Sequence, residues 1–264
     1  MKINERVVTL CALGIMFIFA LIVISGVFGL RLLGHVPIVF LTKEEALQYL
    51  QADADGFYKT FKASDLSARN VKSLDEYVRV MSSAIDEFTS DEVATIKRAI
   101  ESSNVYLQQV NAPWFDGKKC SGMSWKLACV VGEAYEAGLP HTRGDVIFFP
   151  RRHLAHPEHD FTQTLIHERI HIYQKMYRDD ADAYIKKNGY TRRGIARETN
   201  TRANPDIDGW TYADMRGNVM SAGYKADATS VRDVVFKPRD GYENEHPLEK
   251  MAIEIAERYM QSLP

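Results

Sequence analysis

Residues 164–175 read TLIHERIHIYQK, with His167 and His171 four apart and Glu168 directly after the first histidine. On an α-helix, positions i and i+4 stack on one face. Two imidazoles so placed reach one ion at about 2.0–2.1 Å each. Glu168 is rotated by roughly 100° from His167. That places it beside such an ion rather than on it, where a base takes a proton from water. The spelling H-E-x-x-H therefore predicts a zinc-binding helix of hydrolytic type. Leu165, Ile166, Ile170, Ile172 and Met176 supply apolar positions, so a half-buried helix is expected over 160–178.

A catalytic zinc takes three protein ligands and keeps one position open. The spacing H-E-x-x-H-x-x-G-x-x-H would supply the third ligand nearby. Here Gln174 stands where that glycine would be, and no histidine follows until His246. The other solution is an acid from a later helix. HPLEKMAIEIAE (246–257) places Pro247 at the expected first helical position and Glu249 in the first turn. Glu245 precedes it, and Glu254 lies five residues on, facing another way.

On these residues the chain resembles a gluzincin-type zinc metallopeptidase, with H-E-x-x-H on one helix and a glutamate ligand on a following one. EHPLEKMAIE (245–254) matches that family's proline, glutamate and alanine, and lacks its immediate second acid. The resemblance covers residues 145–178 and 240–260. It implies an α+β, zincin-like domain with a small sheet and an active-site helix. It implies one Zn2+ per chain on His167, His171 and Glu249, with Glu245 and Glu254 as rival third ligands. A peptide or protein substrate, Glu168 as general base and a donor for the developing oxyanion follow from it. Tyr242, Tyr224 and His246 are the nearest donors in sequence, and Tyr242 is taken first. The strand expected at 145–149 would pair with an extended peptide. TLIHERIHIYQ is also similar to uncharacterised metallopeptidase-like proteins of large DNA viruses, from which no function is taken. The rival readings are a membrane-tethered zinc-binding pseudoenzyme or scaffold without turnover, and a zinc hydrolase acting on something other than a peptide.

Working outward, VVTLCALGIMFIFALIVISGVFGL (7–30) carries no charge over 24 residues. At 1.5 Å per residue it spans roughly 36 Å, enough for a hydrocarbon core of about 30 Å. A cleaved signal has an apolar core of only about 7–15 residues. An uncleaved N-terminal transmembrane helix is expected, within an anchor and flank over 1–40. Lys2 and Arg6 lie on the short side, Arg31 and Lys43 on the long side. That bias favours a single-pass membrane protein with its large domain on the non-cytosolic side.

The net charge is -2, with 45% hydrophobic and 26% charged residues. This is ordinary globular composition without a basic face for nucleic acid. A helical segment is expected over 41–110, with Thr42 and Glu45 forming a capping box, Ser73 as a second cap, and Thr89 or Ser90 as a third. The apolar stripe Leu74, Tyr77, Val78, Met81, Ile85 and Phe88 reads as core. The metal-binding domain is expected over 111–264, with strands at 126–132 and 145–150. Residues 179–246 are polar and fit no pattern well. His153, His156 and His159 read as a solvated loop, Arg143-Gly144-Asp145 as a turn into a strand, and Asp206 and Asp208 as an ordinary turn. Cys11 lies in the apolar run; Cys120 and Cys129 either pair in an oxidising compartment or remain thiols.

Overall fold

The chain enters the described structure on β1 (Ile38–Phe40) and turns at Thr42 into α1 (Lys43–Ala52). The Thr42 hydroxyl accepts from the Glu45 amide at 3.2 Å, and the Glu45 carboxylate accepts from the Thr42 amide at 2.8 Å. This reciprocal box satisfies two backbone donors that the helix cannot pair itself. After α2 (Ala63–Ser67), Ser73 caps α3 (Leu74–Ser83), and Thr89 with Glu92 forms a second box at the head of α4 (Ser90–Gln109). Between them α3 stops at Ser83, and Ile85–Asp86 forms β2. Ile85 is thus a buried sheet residue rather than part of the helical stripe.

This computed structural model describes residues 36–196, 201–237 and 244–263. The apolar stretch 7–30, Cys11 and Tyr242 lie outside the described residues. Among the described residues no helix is long and apolar enough to cross a membrane. One compact unit spans Ile38–Pro264, so the segment 41–110 and the segment from 111 onward fold together.

A short hairpin, β3 (Asn111–Ala112) and β4 (Phe115–Asp116), leads through α5 (Gly117–Gly122) to β5 (Trp125–Val130). Next come β6 (His141–Arg143), β7 (Val146–Pro150), the motif helix α6 (Glu158–Met176) and α7 (Arg178–Lys187). The five-stranded sheet runs β1-β5-β7-β6, with β2 also on β5. β1, β5 and β7 are parallel, while β2 and β6 run antiparallel to their neighbours. Every residue of β7 is buried, as expected for a strand with both faces covered. Packed on this sheet are Leu50, Tyr77, Met81, Ile85, Val130 and Phe148.

The strand at 145–149 was expected at an edge, open to a peptide. It is instead an inner strand between β5 and β6, and the edge belongs to β6. That edge is occupied. The Thr142 amide donates to Asp206 Oδ1 at 2.6 Å, and Lys175 Nζ donates to the Thr142 carbonyl at 3.1 Å. The turn at Gly144 has φ +54, and a side chain there would collide with the Tyr49 hydroxyl. Arg143 is buried and paired with Asp53 and Asp55 at 2.6 and 2.5 Å, so Arg143-Gly144-Asp145 is a structural turn.

A second sheet is four-stranded and antiparallel, in the order β11-β10-β9-β8. Its strands are β8 (Thr191–Ile195), β9 (Trp210–Ala213), β10 (Val219–Tyr224) and β11 (Val234–Lys237). The last element, α8 (Pro247–Gln261), lies along α6. Leu248, Met251, Ala252, Ile255 and Tyr259 bury its apolar face. With eight α-helices and small sheets among the described residues, the architecture is mixed α+β.

Candidate metal centre

α6 and α8 bring three ligand-type side chains together. His167 and His171 project from one face of α6, and Glu249 from the first turn of α8. Pro247 sits in that first turn, and His246 caps it, its Nδ1 accepting from the Leu248 amide at 3.2 Å. This fixes where Glu249 begins its turn. The two Nε2 atoms stand 3.0 Å apart, and each lies 3.3 Å from Glu249 Oε2. Three atoms bonded tetrahedrally at about 2.1 Å to one ion stand about 3.4 Å apart. The spacing therefore fits a single metal ion, and among the described residues it is the one such group of three or more.

The surroundings hold these atoms in place. The Gln174 carboxamide oxygen lies 3.0 Å from His171 Nδ1, and its nitrogen donates to the Leu248 carbonyl at 2.8 Å. Asn204 donates to the second Glu249 oxygen at 2.6 Å. Such contacts fix ring and carboxylate orientation and leave the other atoms facing the ion site. Arg169, fully buried inside the motif, donates to the carbonyls of Cys120, Met123 and Ser124 and stacks 4.4 Å over Trp125. It ties the motif helix to the loop that enters β5.

Burial alone would lower the His171 pKa, but the Glu249 carboxylate and its hydrogen bond push it up to about 9. Burial would raise Glu249, yet the two imidazoles hold it well below the usual carboxylate range. Each group thus favours the charged form of the other. Glu168 behaves in the opposite way. Burial and the Asp206 carboxylate, with Glu249 beyond, hold it well above the ordinary range against His171 and Lys175. Its Oε2 is buried without a hydrogen-bond partner.

The remaining candidates separate cleanly. Glu254 turns away and pairs with Arg258 at 2.5 Å. Glu245 accepts from the His246 amide at 3.0 Å and lies outside the cluster. Tyr224 donates to Asp65 at 3.0 Å and accepts from Arg69 at 3.0 Å, so it is committed to a structural network. His246 is engaged as the cap, with Nε2 facing the Trp210 carbonyl at 3.2 Å and Asp208 at 3.4 Å. His153, His156 and His159 form no ligand cluster; the His153 ring packs on Phe149 and His156. Cys120 and Cys129 are both buried free thiols. Asp208 does serve a turn, accepting from the Trp210 amide at 3.1 Å, whereas Asp206 reaches across to β6.

Gln174, Asn204, Asp206, Lys175 and Arg202 also surround the centre. Gln174 and Lys175 carried a usable signal, being three and four residues beyond His171 on the same helical face. The others arrive through tertiary placement of the polar segment 201–209. No family model, curated protein or solved structure matches the chain.

Proposed function

We propose that the chain is a zinc-dependent metallopeptidase with a zincin-like α+β domain, tethered to a membrane through residues 7–30 with that domain on the non-cytosolic side. The observation that carries this reading is the convergence of His167, His171 and Glu249 on one point, with the unpartnered Oε2 of Glu168 in the same cavity. Two nitrogens and one carboxylate oxygen suit Zn2+. When bound, zinc supplies Lewis-acid activation of water and of a peptide carbonyl.

The chain's own residues do the rest. Glu168 Oε2 takes a proton from water and later delivers it to the leaving nitrogen. Gln174 and Asn204 keep His171 and Glu249 aimed inward, so little reorganisation is needed at the moment of reaction. Tyr224 and His246, two of the oxyanion donors expected from the sequence, are committed elsewhere, and Tyr242 lies outside the described residues. The occupied β6 edge favours a substrate that does not add as a strand. It equally favours the alternative reading, a zinc site retained without turnover.

The test is cleavage of a mixed peptide library by the full-length, zinc-loaded protein, read by mass spectrometry beside Glu168→Gln. Cleavage in the parent and a loss of about 10²-fold or more in a variant that retains zinc supports the peptidase. A zinc-loaded parent that leaves the library intact supports the alternative.

A further inference from the structure

The cavity beside the metal cluster has a volume of about 130 Å³. This is well below the roughly 300–1,000 Å³ of pockets that enclose drug-sized ligands. Its walls include four acids and one guanidinium, Arg202. The acids have partners or a role. Glu136 is held by Arg69 through two bonds of 2.7 Å and by the Tyr77 hydroxyl at 2.8 Å. Glu249 faces the imidazoles and Asn204. Asp206 accepts from the Thr142 amide and hydroxyl at 2.6 and 2.8 Å, and Glu168 is the proposed base.

Arg202 is different. Its side chain is 17% exposed, yet its contacts are long. One terminal nitrogen lies 3.5 Å from the Val231 carbonyl, and the other lies 3.9 Å from Glu245. Nε is buried without a hydrogen-bond partner. Among the other buried guanidiniums, Arg69 and Arg169 make several bonds each, and Arg143, which also leaves one terminal nitrogen open, is paired with Asp53 and Asp55 at 2.6 and 2.5 Å. A buried donor left open is costly unless something else fills it. The planar fork of a guanidinium matches a carboxylate, which takes two parallel N–H bonds.

Two further observations narrow the partner. The β6 edge is blocked by Asp206 and Lys175, so a long peptide cannot lie along it. The small cavity admits the end of a chain. An ammonium end would meet Arg202 as a like charge, whereas a carboxylate end would satisfy it. Resting on the metallopeptidase reading, we propose that Arg202 binds the free C-terminal carboxylate of the substrate, so that the site takes peptides by that end. Hydrolysis there breaks the last peptide C–N bond. The oxygen of water joins the acyl carbon and both its protons end on the leaving amine, giving a carboxylate and an ammonium.

The experiment uses the full-length, zinc-loaded Glu168→Gln protein, with N-acetyl-trialanine and its C-terminal amide as calorimetric probes. The free acid is expected to bind about tenfold or more tighter than the amide. Adding Arg202→Met removes that difference, and Arg202→Lys, which keeps the charge without the fork, restores part of it. Equal binding of acid and amide, equal weakening of both by Arg202→Met, or zinc-loaded protein that binds neither probe overturns the proposal. Zinc content measured on the same samples separates the two levels: a folded chain without zinc refutes the metal reading itself.

Discussion

His171 Nδ1 and the Gln174 side-chain oxygen stand 3.0 Å apart within one turn of α6. With Nε2 directed at the ion site, Nδ1 carries the proton and donates. The same carboxamide reaches the carbonyl of Leu248, the residue before Glu249. Gln174 thereby joins both ligand-bearing helices.

Gln174→Leu keeps a similar volume and removes both bonds. Zinc affinity is expected to fall about 10- to 100-fold, read by competition with a chromogenic chelator. Unchanged affinity would show that helix packing alone positions His171.

Asp206 closes the β6 edge on Thr142. Asp206→Ala leaves a buried amide and hydroxyl short of an acceptor. A loss of about 1–3 kcal/mol is expected from the denaturation midpoint. A midpoint equal to that of the parent would mean water replaces the carboxylate at no cost.

Glu136 gives a pH dependence. Burial pushes its carboxyl up, but the Arg69 guanidinium outweighs this and holds it below the usual range. Its folded-state pKa thus lies below the unfolded value of about 4.3. The stabilisation is complete above that value and is lost as pH falls through the folded pKa. Stability should decline below about pH 4, and Glu136→Gln should flatten this decline. At pH 7 that variant costs about 3–5 kcal/mol, because Arg69 is left buried without its counter-charge. Parallel acid-unfolding curves for parent and variant would contradict this assignment.

The local parts of the centre were legible in the sequence. His167, Glu168 and His171 follow from spacing along one helix, and Glu249 from a proline-led first turn. The caps at Thr42, Ser73 and Thr89 were likewise readable, since each satisfies backbone groups within four residues. The second sheet was not. TRRGI and WTYA are short, and neither alternates cleanly between apolar and polar residues, so no period announces a strand. Asn204, Asp206 and Arg202 sit in a polar connection whose position is set by contacts distant in sequence. The edge assignment of 145–149 failed for a readable reason: VIFF is apolar on both faces, the mark of an inner strand.

His167, His171 and Glu249 are proposed to hold one zinc ion between them. The direct measurement is zinc per chain in the full-length protein purified without added metal, beside Glu249→Ala and Glu254→Ala. The account predicts about one zinc in the parent and in Glu254→Ala, and markedly less in Glu249→Ala. A folded parent that takes up no zinc even after incubation with it, or Glu249→Ala with a full complement, would contradict the account.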